Sequence, residues 1–217
     1  MHRVARGGSR VRTAADREAG TARVETRPLA HGERDALLAW LDGGLRGGRA
    51  GRLLAETPHA LSDASAVHAV ARCAGRPVSH AFGRIVLVRA AGRSLRVGTI
   101  GLVYSDPALR MRGLARACVG ALADRLTADG AQLLALWSDR GGLYASLGFR
   151  RAGTEWRWAI DAATCRAARA GAEAIDVGPP RAHEWTALEA LYDAKPARAD
   201  RASGDLARAA GAAECAT

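Results

Sequence analysis

Apolar residues follow a strand-like pattern in the first half of this chain. Between residues 66 and 104, three segments rich in β-branched and other apolar residues are separated by short turns that contain glycine. Such spacing predicts an antiparallel meander of three strands. These strands are predicted over 66–73, 78–90 and 95–104, the second with an irregularity at Gly83.

Helical periodicity stands on both sides of this meander. Apolar residues at helical spacing predict a helix over 33–45, after a short first strand at 23–27. After the meander, leucines and Cys118 recur every fourth residue in a helix predicted over 112–128, which leads into a strand over 132–137. A strand, a helix and a strand in this order predict a right-handed crossover between parallel strands. The chain therefore predicts an α+β or α/β fold whose mixed central sheet is mostly antiparallel and has flanking helices.

Composition indicates one main globular domain with appendages. The chain has 217 residues, of which 48% are hydrophobic and 25% are charged. Its net charge is +10, but Lys195 is the only lysine, and the arginines accompany abundant alanine and glycine. We attribute the charge to the coding bias of a GC-rich genome, and we do not expect nucleic acid as the partner.

Cysteine spacing and hydropathy indicate the compartment. The four cysteines lie far apart without a Cys-x-x-Cys pair, so we expect neither a metal site nor a disulfide framework. No apolar run reaches the length of a membrane span, and the first residues lack the apolar segment of a signal peptide. We therefore expect a cytoplasmic protein with reduced thiols and no membrane partner.

Three regions follow from the composition along the chain. Residues 1–21 contain arginines among glycine, serine and alanine, which predicts a disordered basic tail. The patterned segments predict one domain over 22–160. Residues 161–217 are rich in alanine and predict a helical extension that is too short to form its own core.

A turn rich in arginine and glycine joins the predicted strand 95–104 to the helix that follows. It reads Ser-Asp-Pro-Ala-Leu-Arg-Met-Arg-Gly-Leu-Ala-Arg over residues 105–116. The first N–H groups of a helix have no intrahelical partner and lie at the positive end of its dipole, so they attract anions. At Gly113 a Cβ would occupy the space of such an anion. The turn therefore predicts a pyrophosphate cradle.

This turn also resembles a known family element. The pattern Arg110-x-x-Gly113-x-Ala115 resembles the acetyl-CoA loop of the GNAT superfamily of acyl-CoA N-acyltransferases. A second element follows in order, because Tyr144-x-x-x-Gly148-Phe149 is similar to the segment that carries the usual catalytic tyrosine. The resemblance covers roughly residues 22–160. The turn at 138–142 further resembles the N-terminal domain of enhanced-intracellular-survival-type acetyltransferases.

The resemblance implies a fold and a cosubstrate. In this superfamily the two parallel strands splay apart, and the pantetheine arm of acetyl-CoA enters the gap and bonds to exposed main-chain groups. No metal is implied. The positions that match this binding surface are Val103, Tyr104, Ser105, Arg110, Met111, Arg112, Gly113, Leu114, Ala115 and Arg116. In such loops the position of Arg112 more often points outward.

The resemblance also implies a reaction, the acetylation of a primary amine on a small molecule or protein by direct attack in a ternary complex. Tyr144 is the expected proton donor to the departing thiolate. The alternative is a tyrosine that only packs under the cofactor. The backbone N–H of Val103 or Tyr104 is expected to polarise the thioester carbonyl. Asp139 is the candidate that attracts the cationic amine or passes the amine's proton to water. The alternative is a residue that only forms the turn or lies on the surface. His80 on a strand is usually structural.

Other possibilities stay open. A basic nucleic-acid-binding module and an inactive domain that binds acyl-CoA are the alternative functions, and a homo-oligomer is an alternative to the monomer. The glycine-rich segment 43–52 is cationic, and we interpret it as a flexible connector near the acceptor site. The acceptor amine itself is not readable from the sequence.

Overall fold

The computed structural model describes residues 22–49, 51–57, 66–153, 180–201 and 204–207. Strands of the described chain are β1 (Arg23–Arg27), β2 (Val67–Cys73), β3 (Arg76–Ala90), β4 (Arg93–Ser105), β5 (Leu133–Leu136) and β6 (Ala197–Ala199). Helices are α1 (His31–Leu45), α2 (Arg52–Glu56), α3 (Leu114–Ala128), α4 (Gly141–Ala145) and α5 (Trp185–Asp193), with short 3₁₀ turns at Pro107–Leu109 and Ala182–Glu184.

These strands form one mixed sheet in the order β1-β2-β3-β4-β5. All neighbouring pairs are antiparallel except β4 and β5, which are parallel and are joined through α3. The three-residue strand β6 pairs antiparallel with the end of β3. The predicted meander, the crossover and the mixed, mostly antiparallel sheet are confirmed.

Helices cover both faces of the sheet. On one face, α3 buries apolar side chains against β2, β3 and β4. Its buried residues are Leu114, Cys118, Val119, Leu122 and Leu126. On the opposite face, leucines of α1 and α2 pack around Val70 of β2. Since each fully buried aliphatic side chain contributes about 1.5–3 kcal/mol, both faces hold the helices in place.

The irregularity predicted at Gly83 lies elsewhere. Gly83 pairs regularly with Ile100, whereas the β3–β4 register shifts between His80 and Phe82. Gly83 is needed for packing instead, because a Cβ there would lie 2.8 Å from a methyl carbon of Leu126. A glycine in a strand marks either a bulge or a close approach, and here it is the close approach of α3.

Helix α1 ends where it was predicted to end and overlaps the first residues of the predicted connector. It runs through Gly43 and Gly44 and ends at Leu45, so the flexible segment predicted over 43–52 begins only after the helix. The segment is also tied down: the buried carboxylate of Asp42 accepts hydrogen bonds from the backbone N–H groups of Gly51, at 2.8 Å, and Leu53, at 2.7 Å. These bonds cap α2 from inside α1.

The predicted tail over 1–21 lies outside the described residues, as does most of the extension over 161–217. The described part of the extension contacts the sheet. Beyond β6, the carboxylate of Asp200 accepts two hydrogen bonds from Arg89 of β3, at 3.0 and 2.9 Å. The boundaries between tail, domain and extension stay predictions.

Candidate active site

The pairing between strands β4 and β5 ends about halfway along β4. Their ladder begins at Val97 and Leu133 and ends where Ile100 pairs with Leu136. Strand β5 stops there, while β4 continues for five more residues to Ser105. The end of β4 therefore has β3 on one edge and, among the described residues, no strand partner on the other; we call this open edge the cleft.

A bulge reshapes β4 beside this cleft. Leu102 has a φ of 49°, and Leu102 and Val103 together oppose the single residue Ala81 of β3. The extra residue changes the alternation of side chains, so that Leu102 packs with the α1 cluster and Val103 with the α3 cluster. Tyr104 then returns to the α1 face.

The Arg-Gly turn leads from β4 into α3. The carboxylate of Asp106 accepts a hydrogen bond from the N–H of Ala108, at 2.9 Å, which starts the 3₁₀ turn. Met111 is fully exposed with a φ of 61°, and Gly113 has a φ of 76°. Positive φ at Gly113 adds a second reason for glycine there, because other residues are strained in that region.

The start of α3 leaves its first N–H groups available. Gly113 is the N-cap of α3, and no side chain of the described residues caps it. The first helical bond along the turn runs from the N–H of Ala117 to the carbonyl of Gly113, at 2.9 Å. The N–H groups of Leu114, Ala115 and Arg116 thus lie at an uncapped, positive helix end.

Three arginines surround this helix end, and their exposure differs from the expectation. Arg110 and Arg116 are exposed, whereas Arg112, expected to point outward, is the half-buried one. Arg116 donates a long hydrogen bond, of 3.4 Å, to the carbonyl of Ser146 after α4. Arg110 approaches the carbonyl of Ser105 at 3.5 Å. Arg116 therefore spans from the first turn of α3 to the segment that carries Tyr144.

Tyr144 lies on the short helix α4, on the other side of the cleft. Its half-buried ring packs against the α3 cluster and meets Phe149 edge-to-face, with 6.2 Å between ring centroids. Asp139 precedes α4 and is exposed, next to a turn in which Ser138 Oγ accepts from the N–H of Arg140 at 3.0 Å. The structure thus brings the turn, β4 and Tyr144 to one end of the sheet.

A buried histidine pair stands behind the bulge, and sequence reasoning missed it. Nδ1 of His68 lies 3.0 Å from Nε2 of His80, and Nδ1 of His80 lies 2.9 Å from the carbonyl oxygen of Leu102. Burial is the main reason that the pKa of each imidazole is lowered. No local sequence signal predicts this pair, since it depends on the β2–β3 register, in which Val70 faces His80 and His68 faces Phe82.

Cys118 and His80 are both fully buried. Cys118 is fully buried in the α3 core, and burial raises the pKa of its thiol to about 11, which excludes a thiolate nucleophile at neutral pH. His80 is fully buried and bonded to backbone, as a structural histidine is.

Among the residues that the structure describes, no group of His, Cys, Asp or Glu is arranged to hold a metal ion. In the same residues, no helix combines the length and apolarity needed to cross a membrane.

One family model matches the chain. It describes the FR47-like protein family and covers residues 86–159, from β3 through the turn and Tyr144. No curated protein sequence matches.

Solved structures share the fold at low sequence identity. The aminoglycoside N-acetyltransferase AAC(6')-Iy in complex with CoA is 16% identical, with a TM-score of 0.53 over 64% of this chain and 95% of that one. A predicted acetyltransferase of Clostridium acetobutylicum with acetyl-CoA is 16% identical, with a TM-score of 0.51 over 64% of this chain and 96% of that one. A transcriptional regulator of Bacillus halodurans C-125 is 16% identical, with a TM-score of 0.51 over 64% of this chain and 100% of that one.

The comparisons confirm the predicted fold and the resemblance on which it rests. The mixed sheet, with one parallel pair of strands and flanking helices, is the GNAT fold. The FR47-like match covers both of the quoted elements, the turn with Gly113 and the segment with Tyr144. The finer resemblance to enhanced-intracellular-survival-type enzymes stays a prediction.

Proposed function

We propose that this GNAT-fold chain is an N-acetyltransferase that moves an acetyl group from acetyl-CoA to a primary amine of a small molecule or protein. The observation that carries the proposal is the cleft at the end of β4, where the β4–β5 ladder stops at Ile100 and Leu136. The uncapped start of α3 lies beyond one end of this strand, and Tyr144 follows β5.

Donor binding uses main-chain groups of β4 and α3. The edge of β4 at Val103, Tyr104 and Ser105 offers strand hydrogen bonds to the pantetheine arm, in place of the missing β5 partner. The pyrophosphate lies at the start of α3, where the N–H groups after Gly113 point at an anion. The positive φ of Gly113 and the lack of a side-chain cap among the described residues fit such an anion.

Charge at the turn supports the same assignment. The other residues of the proposed donor surface are Arg110, Met111, Arg112, Leu114, Ala115 and Arg116. Their three guanidinium groups add positive charge around the helix end, and arginine pairs with phosphate oxygens through two parallel N–H donors. Exposed Arg110 and Arg116 have room to turn toward a phosphate.

Transfer proceeds by direct attack of the neutral amine on the thioester carbonyl carbon. The N–H of Val103 or Tyr104 donates to the carbonyl oxygen as negative charge develops on it. When the carbon–sulfur bond breaks, the Tyr144 hydroxyl gives its proton to the departing thiolate. The nitrogen, now bonded to the acetyl carbon, loses its extra proton to water, and water returns one proton to the phenolate. Asp139 draws the cationic amine and passes its proton to water. The products are an N-acetylated amine and free CoA.

Two measurements on the full chain test this function. Acetyl-CoA and CoA should both raise the melting temperature in a concentration-dependent way, since each binds only the native state. A thiol-release screen with acetyl-CoA against aminoglycosides, polyamines, amino acids and peptide N-termini should then find an acceptor. Binding without thiol release for any class would leave an acyl-CoA-binding domain and overturn the transferase proposal. No melting shift with either ligand would overturn the site itself.

A further inference from the structure

The buried histidine pair ends on the strand that forms the proposed site. His68 on β2 and His80 on β3 are 4% and 0% exposed, on the face of the sheet that α1 covers. A chain of two hydrogen bonds runs from His68 to His80 and on to the carbonyl oxygen of Leu102. The proposed chemistry at Tyr144 uses neither imidazole.

The last bond of this chain determines where both protons lie. A carbonyl oxygen only accepts, so Nδ1 of His80 carries the hydrogen. Burial keeps both rings neutral, and a neutral imidazole carries one N–H, so Nε2 of His80 is an acceptor. Nδ1 of His68 must therefore be the donor to it. Each ring has one defined tautomer, and the chain has one direction, toward Leu102.

Leu102 is the residue at which β4 leaves regular geometry. Its φ of 49° is unfavourable for a leucine and persists only where surrounding contacts hold it. The hydrogen bond from His80 is such a contact. Packing of the Leu102 side chain among the α1 cluster is another.

The same peptide group connects Leu102 to the cleft. In a trans peptide the C=O of one residue and the N–H of the next point in opposite directions. The Leu102 carbonyl points to the His80 side chain, which stands on the α1 face of β3, so the N–H of Val103 points away from β3 and from that face, on the side of the other edge of β4. Beyond Ile100 that edge borders the cleft rather than β5.

We propose that His80, supported by His68, is a positioning residue that aims the Val103 N–H into the cleft by holding the Leu102 carbonyl. This role rests on the proposed function, which needs a donor to the thioester carbonyl at this point. Neither histidine touches the reacting atoms.

A second contact from β3 holds the next part of β4 from the opposite face. Ser79 Oγ donates to the Tyr104 carbonyl at 3.1 Å and lies 2.7 Å from Ser105 Oγ. Consecutive residues of β3 thus hold β4 from both faces, His80 at the bulge and Ser79 after it. The proposed donor lies between these two contacts.

The test compares two replacements of His80. His80→Asn places an amide N–H near the former Nδ1 and keeps a donor to Leu102, whereas His80→Leu removes the donor. With an acceptor from the thiol-release screen, we expect kcat to fall about 10- to 100-fold in the Leu variant, since a misaimed oxyanion donor loses most of its effect. The Asn variant should recover most of this loss, and free CoA, which has no thioester carbonyl, should bind both variants similarly.

A second readout needs no turnover. In the wild type, the Val103 amide proton should shift further downfield with acetyl-CoA than with CoA, because only the thioester offers a carbonyl acceptor. This difference should disappear in His80→Leu and persist in His80→Asn. Equal kcat and equal amide shifts in the two variants would overturn the positioning role and leave only packing.

The outcomes separate this role from the proposed function. Amide shifts as expected, with no acetylated amine, would retain the positioning role and overturn transfer. Turnover in His80→Leu equal to that of the wild type would retain transfer and overturn the positioning role. Should neither variant fold, the imidazole ¹⁵N spectrum of the wild type decides: protonation of His80 at Nδ1 supports the role, and protonation at Nε2 overturns it.

Discussion

The ring of Tyr104 lies directly against the backbone of Gly44, so that a Cβ on Gly44 would overlap the ring carbons. The same ring meets Trp40 edge-to-face, with 4.9 Å between centroids. Helix α1 is thereby docked onto β4 one residue past Val103. Gly44 lies inside α1 and has no positive φ, so glycine is needed there for the close approach of the ring and not for backbone freedom.

Replacing Gly44 by alanine should therefore separate α1 from β4. Overpacking of this kind costs about 1–3 kcal/mol, which outweighs the gain in helix propensity from alanine. Gly43 is the matched control, since no atom lies within 4 Å of a Cβ there. Gly43→Ala should stabilise the fold by up to about 1 kcal/mol. Urea unfolding at neutral pH measures both, and equal stabilities would contradict the contact.

The contrast between these two glycines shows where sequence reasoning stops. The predicted helix over 33–45 and the predicted connector over 43–52 both included Gly43 and Gly44, and both glycines lie inside α1, because the helix is held by apolar contacts of Leu37, Leu38 and Leu41. Tertiary packing overrides the weak helix propensity of glycine. Which glycine is essential depends on a side chain sixty residues away on β4, and that contact follows only from the fold.

The candidate site divides in the same way. Its backbone elements were predictable, since the turn with Gly113 and the segment with Tyr144 are local patterns and the crossover has a fixed hand. The bulge at Leu102 was not, because leucine gives no signal for positive φ and the irregularity was predicted at Gly83. The histidine pair needs the register of two strands, which alternation alone does not determine.

Gly113 provides a test of the proposed phosphate site. Gly113→Ala introduces strain at a φ of 76° without adding charge, and Gly113→Glu introduces the same strain plus a carboxylate where the pyrophosphate should lie. A carboxylate is favourable at a helix start, so the apo Glu variant should be no less stable than the Ala variant. We expect CoA to raise the melting temperature of the Ala variant but not that of the Glu variant. Equal shifts in thermal melts would contradict the assignment.

Tyr144→Phe tests the proposed proton donor. A phenylalanine ring keeps the edge-to-face contact with Phe149, so CoA affinity and folding should stay close to those of the wild type. Loss of the hydroxyl should lower kcat by about 10²-fold or more, the usual effect of losing a general acid. Steady-state kinetics and calorimetry measure the two quantities.

A second tyrosine supplies the control for that substitution. The Tyr192 hydroxyl donates to the carbonyl of Ala199 at 2.9 Å, in the described part of the extension. Tyr192→Phe removes the same atom and should cost about 1 kcal/mol of stability without changing kcat. An unreduced kcat in Tyr144→Phe would leave Tyr144 as a packing residue.

The buried histidines make stability depend on pH in a defined window. Burial is the main cause that lowers the pKa of His80 from 6.5 to about 3, and burial together with the charge of Arg34 lowers the pKa of His68 to about 4. Below pH 6.5 the two imidazoles bind protons in the unfolded chain but stay neutral in the native state. Protonation therefore favours unfolding, and the free energy of unfolding should fall as pH drops from 6.5 toward 4, by up to about 1.4 kcal/mol per pH unit for each histidine.

Urea titrations at a series of pH values measure this slope, and two variants assign it to the buried pair. Replacing His68 and His80 together by asparagine removes both titrating groups, so the loss between pH 6.5 and 4 should become shallower even if the fold is weaker at pH 7. His183→Asn removes an exposed histidine and leaves the buried pair intact, so it should keep the slope of the wild type. If the wild type were equally stable across this window, the imidazoles would be free to charge in the native state. The one-directional chain from His68 to Leu102 would then be wrong, because a charged His80 has no acceptor nitrogen to offer His68.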